Sequence, residues 1–366
     1  MTVDFNLLPH EVIRGLAPYI PGKSTDDVAR EQGIKDIIKL ASNENPLGCS
    51  PMVLQALAHL SSQQISMYPT SINHPLRHKL ADILGVDTTM LTLSNGSDLL
   101  FCLLLTCFAL HSDKHIITHD YAFISYGIQA KTLNIPVVTT PILPDWQVDI
   151  DAMIAACNEK TSLIFIANPN NPTGLLVPHT EIERLLENIP NTTILVLDEA
   201  YYEFVTHVSH SIKLLTKYPN LVITRTFSKA YGLAGLRIGY GIANAQITSL
   251  LYRLQLPFAV NQAAMIAASA ALDDQAFIEQ SLRTTTQGIA QMQQGLAKLN
   301  LPYLPTAANF ILVDCKTDAG PIYQTLQQYG IIVRPLHPYD LNNYLRITIG
   351  TKEQNAQLLE KLALCL

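Results

Sequence analysis

Short apolar runs rich in β-branched residues alternate with longer stretches of helical period up to about residue 257. Met90–Leu93, His115–Thr118, Val137–Thr140, Leu163–Ala167, Thr193–Leu197, Leu221–Thr224 and Gly239–Ile242 read as strands. Two of them, LIFIAN and TILVLD, are almost continuously apolar, as strands covered on both faces are. Helices are predicted between the runs over Ser97–Leu110, Tyr126–Leu133 and His179–Asn188. The alternation predicts an α/β fold, with a mostly parallel seven-stranded sheet carrying helices on both faces. Beyond Pro257 the pattern changes to a helical stretch over Asn261–Lys298, then Asn309–Asp314, a further helix, Ile331–Arg334 and Leu345–Ile349. That order predicts a smaller α+β unit. The expected organisation is an arm and part of the small domain over 1–45, a large domain over 46–260, and a connecting helix with the small domain over 261–366.

At 366 residues the chain can bury a core in each of two such units. Hydrophobic residues make up 48% and charged residues 15%, which fits a globular chain. A net charge of -6 and no run of Lys or Arg give no reason to expect nucleic acid or an anionic membrane as partner. The longest apolar stretch, Leu99–Leu110, is too short for a bilayer. Six scattered cysteines without a CxxC pair suit a reducing compartment, and the N-terminus is unlike a signal peptide, so a cytoplasmic protein is expected. No metal site is expected: His111, His115 and His119 are four apart, but HIITHD reads as a strand. Pro21-Gly22-Lys23-Ser24 is no phosphate loop, because Ala17 stands where its first glycine belongs.

Polar residues interrupt the chain where the apolar runs end. LIFIAN leads into Asn171, TILVLD ends at Asp198 with Tyr201 behind it, and LVITRTFS ends at Lys229, with Arg237 eight residues later. In an open α/β sheet, ligands collect beyond the carboxyl ends of the strands. Gly96, Ser97 and Asp98 at a helix N-terminus offer backbone N–H groups to a phosphate, and Thr226, Ser228 and Arg237 add donors and charge. Asp198 suits a pyridine nitrogen, Asn171 and Tyr201 suit a ring oxygen, and Phe123 suits the ring face. Lys229, desolvated beside cationic groups, suits an imine partner that also moves a proton. Taken singly, Asp198-Glu199 also reads as a helix cap or a metal pair, and Lys229 as a surface charge.

NPNNPTG, DEAYYEF and TFSKAYGLAGLRIGY resemble, in order and spacing, the fold type I pyridoxal-phosphate aminotransferases of the aspartate aminotransferase superfamily, and within them the histidinol-phosphate aminotransferases. LAPYIPGK, LASNENPLG, MYPT, SNGSD, YAFISY, NFILVD, IIVRPL and LRITIG extend the resemblance over nearly the whole chain. It implies pyridoxal 5'-phosphate as cofactor, with Lys229, Asp198 and Tyr201 as catalytic residues. It also implies cofactor contacts from Gly96, Ser97, Asp98, Phe123, Asn171, Thr226, Ser228 and Arg237. Tyr68 would reach the phosphate of a neighbouring subunit, so a homodimer with shared sites is implied. Arg346 would take the amino-acid carboxylate, Tyr19 and Arg334 the phosphate of the substrate, and Asn43 is expected at the substrate as well. The implied reaction converts L-histidinol phosphate and 2-oxoglutarate to imidazole acetol phosphate and L-glutamate, in histidine biosynthesis.

The sequence departs from that pattern at Leu99, where many relatives carry Glu, and at Phe123 and Phe258, where Tyr is common. Three other readings share these motifs: an aminotransferase for aromatic or other amino acids, a phosphothreonine decarboxylase, and a pyridoxal-binding protein without catalysis.

Overall fold

The computed structural model describes residues 4–5, 8–16, 23, 25–34, 36–70, 73–205 and 211–366. Among them are twelve strands: β1 (Ile38–Lys39), β2 (Leu91–Ser94), β3 (His115–His119), β4 (Val137–Thr140), β5 (Thr161–Ala167), β6 (Ile194–Asp198), β7 (Leu221–Thr226), β8 (Gly239–Ala243), β9 (Phe310–Asp314), β10 (Ile331–Ile332), β11 (Arg334–Leu336) and β12 (Leu341–Thr348).

The apolar runs form one seven-stranded sheet in the order β2-β8-β7-β6-β5-β3-β4. Only β8 runs against its neighbours, β2 and β7. Every residue of β5, β6 and β7 is buried. The reason is visible in the two cores that cover the sheet: Ile164, Ile166, Leu195, Leu197 and Ile223 enter one, while Leu163, Phe165, Val196 and Val222 enter the other. The period of two sends alternate side chains to opposite faces, so a strand covered twice has no position for a solvated residue. The carboxyl ends of β5, β6 and β7 consequently lie side by side, in register from Leu163–Ile194 to Asp198–Thr224.

A third core gathers Leu40, Met292, Leu296, Ile311, Val313, Leu345 and Ile347 around the antiparallel sheet β11-β12-β9. The early strand β1 pairs in parallel with β10, which ties the segment before residue 40 to that unit.

Two expectations need correction. The stretch Asn261–Lys298 is two helices, Gln262–Asp273 and Gln275–Lys298. They part at Asp274, where φ -94° and ψ 70° leave the helical region and the carboxylate caps the second helix by accepting from the Phe277 N–H at 3.0 Å. The stretch Ile331–Arg334 is likewise divided, with β10 on one sheet and β11 on another, because Val333 lies between two separate pairings.

Candidate active site

A cavity of about 290 Å³ opens at the carboxyl edge of β5, β6 and β7. Among the residues lining it are Asn43, Ser97, Asp98, Phe123, Asn171, Asp198, Tyr201, Thr226, Ser228, Lys229, Arg237, Arg334 and Arg346. Of the remaining expected residues, Gly96 adjoins the lining. Tyr68 lies elsewhere, 81% exposed and stacked on Phe258 with ring centroids 4.5 Å apart. Tyr19 falls outside the described residues.

The pleat explains how the strand ends are used. Asp198, Thr224 and Thr226 fall on one face, and Glu199 and Arg225 on the other. Glu199 Oε2 accepts from Arg225 Nε at 2.9 Å, both side chains being buried. The adjacent carboxylates are therefore no metal pair: the second is held by an arginine under the sheet. Asp198 faces the cavity and accepts from Tyr126 Oη at 2.8 Å and from Thr224 Oγ1 at 3.1 Å. Burial pushes its pKa up to about 7, against which these two donors work.

Lys229 Nζ donates to the Ser42 carbonyl at 3.0 Å and stands 5.8 Å from the centre of the Tyr201 ring. Burial, with the Arg346 charge second, lowers its pKa to about 8. The Tyr201 hydroxyl accepts from Asn43 Nδ2 at 2.8 Å and from Asn171 Nδ2 at 3.3 Å. Asn171 Oδ1 in turn accepts from an Arg346 guanidinium nitrogen at 2.6 Å, and a second nitrogen of that group donates to the Ala41 carbonyl at 2.7 Å.

The far end of the cavity is a helix start. The helix Asp98–Phe108 begins at Ser97, whose side chain makes no capping hydrogen bond, so its first N–H groups face the cavity. Arg237 lies beside them, 3.4 Å from Ser228 Oγ and 4.0 Å from Asp98. Thr226 Oγ1 donates to Ser228 Oγ at 3.0 Å. Close approach needs glycine here: a Cβ at Gly239 would meet the Ser97 nitrogen at 2.7 Å.

At the mouth, Arg334 of β11 and Arg346 of β12 are direct cross-strand partners. Opposite residues of an antiparallel pair point to the same face, and like charges placed so repel. Both arginines line the cavity, which gives it two cationic groups beside Arg237.

Sequence reasoning missed Tyr126, Thr224, Ser42 and Thr348. Tyr126 closes the YAFISY motif three residues beyond Phe123, but nothing in that motif pointed to Asp198 as its partner. Thr224 lay in plain view two residues before Thr226, on the same strand face. Ser42 acts through its carbonyl, which no side-chain pattern reveals. Thr348 depends on a contact 305 residues away in the chain.

Residues 35–362 match the family model for aminotransferase class I and II. The chain is 56% identical to histidinol-phosphate aminotransferase 2 of Legionella pneumophila (strain Lens), over 99% of each chain. It is 40% identical to histidinol-phosphate aminotransferase 1 of Nitrosococcus oceani, over 96% of this chain and 94% of that one. Among solved structures it resembles histidinol-phosphate aminotransferase from Sinorhizobium meliloti in complex with pyridoxal-5'-phosphate, at a TM-score of 0.89 and 28% identity over 98% and 97% of the two chains. The match by family model and the identity along the whole chain place this protein in the aminotransferase class I and II family.

Proposed function

We propose that this protein transfers an amino group from L-histidinol phosphate to 2-oxoglutarate, using pyridoxal phosphate. The observation that carries the substrate assignment is the arginine pair. Arg334 and Arg346, side by side on one face of β11 and β12, line the cavity that also holds Lys229 and Asp198. Two facing guanidinium groups suit a site that must accept a phosphate in one half of its cycle and a carboxylate in the other. The likeness to the Legionella and Nitrosococcus enzymes supports the same reading.

The residues fit the cofactor. A phosphate fits the open helix start at Ser97 and Asp98, flanked by Gly96, Thr226, Ser228 and Arg237. Asp198 fits a ring N–H: a cationic neighbour in contact offsets the desolvation that raises its pKa and returns it to the charged form. Asn171 and Tyr201 fit a ring oxygen, and Phe123 a ring face. Pyridoxal phosphate supplies an aldehyde carbon and an electron-withdrawing ring when bound.

The chain supplies the rest. Lys229, with a lowered pKa, is neutral often enough near neutrality to hold and move a proton at the amine-bearing carbon of the substrate. Asp198 fixes charge at the inner end of the cavity, while Arg237 and the helix start fix it at the other. Arg346 orients the carboxylate of glutamate and Arg334 the phosphate of histidinol phosphate. The amino donor and the keto acceptor use this one site in turn, and the surrounding side chains exclude water.

The protein is further read as a cytoplasmic homodimer. No helix among the described residues is long and apolar enough to cross a membrane. Tyr68, Leu256 and Phe258 are exposed large side chains, and Tyr68 lies away from its own cavity. That is the disposition a residue serving the site of a neighbouring subunit requires.

Replacing Arg334 with alanine lowers kcat/KM for L-histidinol phosphate about 10- to 100-fold, the range expected for charge-assisted hydrogen bonds to a phosphate. Phenylalanine, which carries no phosphate, loses less than about threefold in the same comparison. Equal losses on both substrates would instead favour an aminotransferase for aromatic amino acids.

A further inference from the structure

Asn43 lines the cavity and engages its side chain with Thr348 and Tyr201. Its backbone sits in the left-handed region at φ 57°, which asparagine tolerates better than most residues. Its N–H donates to Thr348 Oγ1 at 2.9 Å, and Thr348 Oγ1 hands its own proton back to Asn43 Oδ1 at 3.1 Å. Asn309 Nδ2 donates to the Asn43 carbonyl at 3.0 Å. With Oδ1 engaged by a donor, the other end of the amide, Nδ2, faces the Tyr201 hydroxyl at 2.8 Å.

The second amide on that hydroxyl is oriented in the same way. Arg346 has only donors, so Asn171 turns its oxygen to the guanidinium and its nitrogen to Tyr201. The phenol oxygen therefore accepts two N–H bonds, and its own proton has one direction left, into the cavity that Tyr201 lines. The charged and titratable groups around this phenol are Arg346, Asp198, Lys229 and Tyr339.

We infer that Thr348, acting through Asn43, is a positioning residue that makes Tyr201 a one-way hydrogen-bond donor to the cofactor's ring oxygen. The inference rests on the cofactor reading above. Thr348 is 2% exposed and lies on β12, two residues beyond Arg346. A hydroxyl on the small sheet thereby sets a proton's direction at the edge of the large one. Valine at this position keeps the shape and removes the proton, so Asn43 can turn its oxygen to the phenol and draw that proton out of the cavity.

The test is a spectroscopic titration of the cofactor-loaded protein, which a purely structural role for Thr348 leaves unmoved. A donor on the ring oxygen stabilises its negative charge and weakens its hold on the proton shared with the neighbouring nitrogen. Weakening that donor raises the midpoint of the visible band. Thr348→Val is expected to shift the midpoint up by about half a unit to one unit, the equivalent of one hydrogen bond, while Thr348→Ser titrates with the parent protein. In a Tyr201→Phe background the valine substitution moves nothing further. Should Thr348→Val fail to fold, Asn43→Ala gives the same upward shift. A parent protein with a normal band and an unmoved midpoint in the substituted protein overturns this inference alone. A protein that shows no visible band when supplied with pyridoxal phosphate overturns the cofactor reading, and this inference with it.

Discussion

Lys229→Ala is expected to lower steady-state amino transfer at least about 10⁴-fold, because in the proposed function one side chain supplies both the covalent attachment and the mobile proton. It is the only lysine among the described residues lining the cavity, so none of those neighbours can take its place. Loss of fold is distinguishable from loss of chemistry by linkage. Burial lowers the lysine pKa to about 8 from its ordinary 10.5. The unfolded chain therefore binds more protons between those two values, and the contribution of Lys229 to stability is present above 10.5 and lost as pH falls through 8. Alanine removes a buried charge that is unfavourable at pH 7, so the cofactor-free variant melts no lower than the cofactor-free parent at that pH. A variant that melts well below its parent would attribute the lost activity to unfolding. In the parent, reductive labelling of Lys229 by a small aldehyde rises with a midpoint near 8.

Asp198→Asn lowers kcat about 10²- to 5 × 10³-fold in both half-reactions, with KM for either substrate changing less than tenfold. Asparagine preserves the size of the side chain and an oxygen able to accept from Tyr126 or Thr224, but it carries no charge. Breaking one member of a buried charge pair costs about 3–5 kcal/mol, which sets that range. Substrate binding is expected to change little because the arginines proposed to serve it are on β11 and β12, whereas Asp198 ends β6. Single-turnover measurements with glutamate and with histidinol phosphate separate the two halves. An effect confined to one half would mean that Asp198 acts on a substrate and not on the cofactor both share.

The middle of the sheet was legible because β5 and β6 are buried on both faces, which writes them into the sequence as nearly unbroken apolar runs. Polar residues at or shortly after the ends of the apolar runs pointed to Asn171, Asp198 and Lys229, because ligands collect beyond the carboxyl ends of parallel strands. What stayed illegible depends on partners distant in sequence. The division at Asp274 hinges on one carboxylate turning back to cap Phe277, in a stretch whose alanines and leucines otherwise carry a helical pattern through. Splitting Ile331–Arg334 between two sheets depends on β1 and β12, roughly 290 residues earlier and ten later. Asn43 was placed at the substrate by the resemblance alone. Its commitment to Thr348 and Tyr201 follows only from packing three separate segments together.

The most direct measurement is the absorption spectrum of the purified, cofactor-loaded protein before and after addition of L-histidinol phosphate alone. Loss of the visible band, restored by 2-oxoglutarate, is the predicted result and reports the cofactor and the named amino donor together. A band that ignores histidinol phosphate yet disappears with phenylalanine would contradict the account at the substrate. Such a result would reassign the Arg334 and Arg346 pair.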